Sequence, residues 1–287
     1  MSEEKNRIEK STLYLVATPI GNLSDISERA IKVLSEVDFI AAEDTRNSVR
    51  LLSALGIKNE LVSYHEHNKK VSGERLVARM LGGESCALIT DAGMPAISDP
   101  GEDIVKLCAE AGITVSVIPG ACAAVSALSV SGLGTGRFAF EGFLSANKGE
   151  RRRQLERVKN EDRTIIFYEA PHKLKNTLSD MAEILGEERK ISLCRELTKL
   201  NEEIKRTTLK GATEFYERNE PRGEYVLVVE SFLGEIVSED ISRLLSLSPE
   251  EHVAHYEAEG MARMDAIKRA AKDRKMSKSE LYKILNS

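Results

Sequence analysis

Five short apolar runs lie in the first 118 residues, each separated from the next by a stretch of helical period, and this alternation constrains the fold more than any other feature. The runs are Leu13–Ala17, Phe39–Ala42, Leu61–Tyr64, Cys86–Thr90 and Ile113–Ile118. They are too short for buried helices and end in polar or glycine-bearing turns, so they read as strands. After the first, Ile26, Ala30, Val33 and Val37 recur at spacings of four, three and four, one face of an amphipathic helix with Asp25 as its expected cap. Later helices are expected to stop at Gly56, at Gly82-Gly83 and at Gly112. Strand and helix in strict turn mean a mostly parallel sheet with helices on both faces.

In such a sheet, ligands sit at the carboxyl ends of the strands. Four loops lie there: Thr18–Asn22, Glu43–Arg46, Asp91–Asp99 and Pro119–Ala123. The third is the most unusual. Ordinary βα loops run about two to six residues, whereas Asp91-Ala-Gly-Met-Pro-Ala-Ile-Ser-Asp99 is longer and carries two carboxylates. Ser98 or Asp99 can cap the following helix, with Pro100 at its first position. A plain βα connection is the bland alternative. Three of the four loops are built from small residues and proline, so they offer backbone N–H and C=O groups rather than long side chains. None matches the dinucleotide fingerprint or the phosphate P-loop. A nucleoside with a neutral or positive tail fits them better than a nucleoside triphosphate.

The Pro119–Ala124 turn opens a helix that fades into Ser131-Gly-Leu-Gly-Thr-Gly136, the strongest compositional break. Beyond it, strands are expected at Phe138–Leu144, Thr164–Tyr168, Lys190–Arg195 and Tyr225–Val229, with a further one across Glu203–Lys210. A basic helix from about Lys148 and a helix over His172–Leu185 lie between them. This half reads as a mixed α+β sheet. The organisation is thus an N-terminal parallel α/β domain over 11–120, a second α/β domain over 121–232, and a helical segment over 235–287. That last segment has helix starts at Ser248-Pro249 and at the capping box Ser277-Lys-Ser-Glu280. From Met261 onward it holds eight Lys and Arg against three Asp and Glu, in a chain whose net charge is −5. Short helices joined by tight turns resemble a helix-turn-helix, so the segment reads either as an RNA-docking module or as a solvated cap.

The remaining features exclude as much as they suggest. Cys86, Cys108, Cys122 and Cys194 form no Cys-x-x-Cys pair and lie in apolar contexts, as in a cytoplasmic protein. No apolar run approaches the roughly 20 residues that span a bilayer. His65-x-His67 and His252-x-x-His255 lack an accompanying ligand set, so no metal site is expected. A homodimer is the expected assembly.

Five ordered motifs are distinctive together: Thr18-Pro-Ile-Gly-Asn-Leu23, Glu43-Asp-Thr-Arg46, Asp91–Gly101, Tyr168-Glu-Ala-Pro-His172 and Cys194-Arg-Glu-Leu-Thr-Lys199. With the basic tail, they resemble the ribosomal RNA small subunit methyltransferase I branch of the tetrapyrrole-methylase superfamily. The resemblance covers about residues 12 to 232. It implies two α/β domains with S-adenosylmethionine in the cleft between them. It implies 2′-O-methylation of a cytidine ribose in 16S rRNA of the small ribosomal subunit. It also implies donor-binding positions: Pro19 in the first loop, Asp91, Ala92, Gly93, Met94, Ile97 and Ser98 around the donor, Ala121 and Cys122 beside it, and Tyr168, Leu197 and Thr198 closing it. The superfamily's glycine-rich first loop is here Thr-Pro-Ile-Gly-Asn, which does not support a tetrapyrrole substrate.

A sulfonium donor needs an in-line nucleophile and a shaped, dry cleft. A ribose hydroxyl is a poor nucleophile, so a base or strict positioning is required. Glu43, Asp44, Glu169, Glu196 and Lys199 are the candidates, each also a plausible member of a surface ion pair. Arg46 and Arg195 could hold phosphates, as could Arg151-Arg152-Arg153. Asp44, Arg46, Arg195 and Lys199 are taken as the groups acting on substrate. Two other readings compete: a same-fold methyltransferase for a small molecule or protein side chain, and a non-catalytic RNA-binding assembly factor.

Overall fold

The computed structural model describes residues 7–232 and 239–286. The chain divides between residues 232 and 233 into two compact units. The first unit opens with β1 (Thr12–Val16), α1 (Glu28–Glu36), β2 (Phe39–Ala42), α2 (Thr45–Ala54), β3 (Leu61–Ser63), α3 (Lys69–Leu81), β4 (Cys86–Ile89), α4 (Gly101–Glu110) and β5 (Thr114–Ile118). The strands form one sheet in the order β3-β2-β4-β1-β5, and every pairing is parallel.

Strand alternation splits the apolar residues between two cores. Tyr14, Val16, Ile40 and Ala42 pack under α1 and α2 with Val33, Leu34 and Leu52. Leu13, Phe39, Ala41 and Leu88 pack under α3 and α4 with Leu76, Met80 and Ile104. Because β1 leads to a helix on one face and β4 to a helix on the other, their neighbouring carboxyl ends bound a crevice, the switch point where open sheets bind ligands.

Two helix starts differ from the sequence reading. Asn22 caps a 3₁₀ turn at Leu23–Asp25, so α1 begins later, with Ser27 Oγ accepting from Ala30 N at 3.1 Å. Pro100 lies just before α4 rather than inside it. Asp99 holds that start together, its Oδ1 accepting from Ala96 N at 3.0 Å and Gly101 N at 2.7 Å.

Next come α5 (Ala123–Ser131), β6 (Phe138–Phe143), α6 (Lys148–Arg157), β7 (Thr164–Glu169), α7 (Pro171–Leu185), β8 (Lys190–Arg195), β9 (Glu203–Thr208), α8 (Leu209–Arg218) and β10 (Tyr225–Val229). This sheet has the order β6-β7-β10-β8-β9. Only β6–β7 is parallel. Ala124, Ala127 and Leu128 of α5 pack on one face with Ile166, Cys194 and Val228. Helices α6, α7 and α8 cover the other face through Leu155, Leu178, Met181 and Tyr216. The run 131–136 therefore follows a helix that already belongs to the second sheet. Helix α8, capped by Thr208, has no counterpart in the sequence reading.

The second unit comprises α9 (Glu239–Ser246), α10 (Pro249–Ala258), α11 (Arg263–Asp273) and α12 (Lys278–Ile284). Its own core is Leu244, Val253, Tyr256, Ala266, Ile267, Ala270 and Leu281. Both Ser248 and Ser277 form reciprocal capping boxes, with Glu251 and Glu280. His252 is fully buried here, accepting from Arg274 Nε at 3.1 Å. Burial, then the Arg274 charge, holds its pKa down. Among the described residues no helix is long and apolar enough to cross a membrane.

Candidate functional site

The crevice between β1 and β4 is closed at its base by backbone. Thr18 N donates to Gly93 O at 2.9 Å and Gly93 N to Thr18 O at 3.1 Å. Gly93 makes this turn at φ +83°, a conformation that costs a Cβ-bearing residue about 1–2 kcal/mol. Thr90 Oγ1 donates to Glu43 Oε2 at 2.8 Å, and Asn47 Nδ2 to Asp91 Oδ2 at 3.1 Å, so the second loop is tied to the third.

Above this base lies a cavity of about 460 Å³. The first sheet contributes Glu43, Thr90 to Met94 and Ile97 to Asp99, and the second sheet contributes Tyr168, Glu196, Leu197 and Lys199. Among the described residues six non-glycine positions have positive φ, and four of them, Ala96, Ser98, Glu196 and Thr198, lie in these two facing segments. Backbone held in that region concentrates at ligand sites.

The walls differ in chemistry. One is aromatic: Tyr168 and Phe143 line it, their rings edge-on with centroids 5.5 Å apart, and Phe140, outside the lining, meets Tyr168 edge-on at 4.9 Å. The Tyr168 hydroxyl accepts from Ala124 N at 3.2 Å at the start of α5, and burial pushes its pKa up to about 12. Most of the remaining lining is apolar or small, with Ile20, Met94, Ile97, Leu197 and Val226; among the described lining residues the charged groups are Glu43, Asp91, Asp99, Glu169, Glu196 and Glu224 against Lys199 as the one cation. Lys199 Nζ donates to Glu196 at 2.9 Å and Glu224 at 2.8 Å. Burial works to lower its pKa, but those two bonds outweigh it and the net shift is upward. It is an ammonium, not a base. The same bond to Lys199 pulls the Glu196 pKa down.

Of the residues singled out from sequence, Asp91, Ala92, Gly93, Met94, Ile97, Ser98, Cys122, Tyr168, Leu197 and Lys199 line the cavity. The others do not. Pro19 and Ala121 stand beside lining residues. Thr198 turns its hydroxyl inward against Gly21, buried and without a hydrogen-bond partner. Asp44 caps α2 and pairs with Arg46 at 2.7 Å, while Arg46 is 87% exposed. Strand alternation turns Arg195 to the α8 side, where it meets Glu203 at 3.3 Å in a separate hollow with Tyr216 and Asn219. Glu169 is buried and consumed by structure, accepting from Thr177 Oγ1 at 2.5 Å and pairing with Lys173 at 3.0 Å. Arg151 is buried against Asp180 at 2.6 Å and Arg152 reaches Glu183, so the basic run is mostly an internal brace. Phe143, Ile20, Glu224 and Val226 line the cavity and were missed. Among the described residues no group of three or more His, Cys, Asp or Glu is arranged to hold a metal.

The profile of the tetrapyrrole (corrin/porphyrin) methylases matches residues 12–213, a span that holds most of the cavity lining but not Glu224, Tyr225 and Val226. The ribosomal RNA small subunit methyltransferase I of Halalkalibacterium halodurans is 51% identical over 98% of this chain and 96% of its own. The chain belongs to the ribosomal RNA small subunit methyltransferase I family. The member from Bacillus subtilis is 48% identical over 94% of this chain and 92% of its own. A solved diphthine synthase superposes with a TM-score of 0.59 at 14% identity, covering 77% of this chain and 90% of that one, which shows the shared fold. The chain is thus a methyltransferase of this family, built on a two-sheet tetrapyrrole-methylase fold.

Proposed function

We propose that the chain methylates the 2′-hydroxyl of a cytidine ribose in small-subunit ribosomal RNA, with S-adenosylmethionine as donor. The observation that carries the donor is the cavity itself. Its volume of about 460 Å³ falls in the range of small-ligand sites. Its carboxylates outnumber its single ammonium, which suits a ligand bearing a sulfonium and an ammonium. The small-residue loops offer backbone groups to a nucleoside, and the Tyr168–Phe143 wall, backed by the Phe140–Tyr168 contact, offers ring faces and edges. When bound, the donor supplies an electrophilic methyl group.

The chain's own residues then hold, orient and shield. Gly93 and Thr18 fix the base of the crevice. Asp91 is free on one oxygen to accept a donor hydrogen bond. Lys199, kept charged by two carboxylates, faces the open side and suits a ribose or phosphate oxygen. Arg46, exposed beside the second loop, suits a backbone phosphate. Glu43, which accepts from the neutral Thr90 hydroxyl, is the carboxylate best placed to take the hydroxyl proton, since Glu169 and Glu196 are each paired with a lysine.

The RNA reading also draws on the second unit. Lys268, Lys272 and Lys278 are exposed on α11 and α12, and a run of cations gives phosphate binding by counterion release. The reading includes a homodimer and a cytoplasmic setting, and four unpaired cysteines suit a reducing compartment. The deciding experiment maps ribose methylation on rRNA from cells lacking the protein. Loss of one 2′-O-methyl mark on the small-subunit RNA is expected, with recovery on complementation. An unchanged ribose-methylation map refutes the assignment.

A further inference from the structure

The geometry points to Gly142 as a positioning residue for the donor site: a bulge in β6 that turns Phe143 into the cavity and seats the Ser98 loop against the second sheet. This rests on the donor reading above.

The first observation is register. Phe140 pairs with Ile166, but Gly142 pairs with Phe167, so Glu141 is an extra residue in β6. Without it, strand alternation would put Phe140 and Phe143 on opposite faces. With it, both rings reach Tyr168. The bulge is what makes the aromatic wall.

The second observation is conformation. Gly142 holds φ +63°, a region where residues with a Cβ are strained. Bulges of this kind re-aim side chains at functional sites.

The third is contact. A Cβ on Gly142 would lie 3.0 Å from Ser98 Oγ. Ser98 is itself at φ +60°, next to Ile97 and two residues beyond Ala96 at φ +65°. The loop is tethered at its start by the Thr18–Gly93 bridge and at its end by Asp99. Between these ties Met94, Ile97 and Ser98 line the cavity, and Ser98 stands against Gly142 of the second sheet. Glycine there gives the strained loop a seat.

The test uses the full chain, with S-adenosylmethionine titrated calorimetrically. Gly142→Ala is expected to weaken donor binding about tenfold, the size of one lost polar contact in a preorganised site. Gly186→Ala is the control. It too holds a positive φ, at +104°, so alanine there is strained, but nothing lies within 4 Å of the new Cβ. It should lower the melting temperature and leave donor affinity alone. In a Ser98→Gly background the Gly142→Ala penalty should shrink to under about threefold, because the colliding oxygen is gone while the backbone strain at 142 is common to both backgrounds. The seat is also read in the free protein, where Gly142→Ala should speed hydrogen exchange at the Ala96 and Gly101 amides, and Gly186→Ala should not. Wild-type affinity in Gly142→Ala, equal loss in Gly186→Ala, or an undiminished penalty in the Ser98→Gly background each overturns the inference. If wild-type protein binds no donor, the functional reading falls instead, and exchange still decides whether the seat exists.

Discussion

Replacing Lys199 by alanine separates substrate handling from donor binding. The side chain is 29% exposed and bridges Glu196 and Glu224, the latter 80% exposed. Ion pairs this wet are worth at most about 1 kcal/mol each. Glu196 keeps a second tie, accepting from Glu224 N at 3.0 Å, so the loop retains its shape. The melting temperature should fall by no more than about 4–8 °C for the two pairs together. The functional cost is larger. A charge-assisted hydrogen bond made to substrate is worth about 1.5–3 kcal/mol, which lowers turnover roughly 10- to 100-fold. Donor affinity should stay within about twofold, since the cavity remains acidic without this cation. Single-turnover methylation of small-subunit RNA gives the first quantity and calorimetry the second. A parallel collapse of donor affinity, or unchanged turnover, refutes the reasoning.

Three further outcomes are expected. Asp91→Ala should weaken S-adenosylmethionine binding by about 1–3 kcal/mol, measured by calorimetry, and wild-type affinity would remove Asp91 from the donor contacts. Hydrogen bonds from Arg46, side chain then backbone, hold the Asp44 pKa at about 2; because this folded value lies below the unfolded one, the contribution to stability is present above pH 4 and is lost as pH falls toward about 2. Carboxyl NMR titration should therefore find Asp44 low in wild type and raised in Arg46→Ala. A chain ending at Ser231 keeps the cores of both sheets and should bind donor normally, yet bind RNA with a shallower salt dependence and methylate it poorly; full activity would make the helical unit a mere cap.

Local pattern carried most of the fold. Strand positions came from short apolar runs, and the ends of α3 and α4 from glycines, because these are properties of adjacent residues. The loops that line the cavity were legible for the same reason: Asp91–Asp99 is too long and too polar for an ordinary βα turn. The helix at Leu209–Arg218 was not, since its start is a strand end whose Thr208 serves as the cap.

What tertiary structure decided is which charges are spent and which way side chains face. Arg151, Glu169 and Asp180 look like surface groups in sequence, yet all three are buried: α6 and α7 bring Arg151 and Asp180 together across nearly thirty residues of chain, and the start of α7 folds Lys173 and Thr177 back onto Glu169. Arg195 and Lys199 are four residues apart and share a motif. Only the sheet sends the first to the α8 side and leaves the second in the cavity. Phe143 is the sharpest case. Alternation alone would turn it away from Phe140, and the extra residue in β6 turns it back. A bulge is a mismatch between two strands, so one strand's sequence cannot declare it. Chemistry-bearing residue types are written along the chain, but their orientation is set by partners that meet only when the sheets assemble.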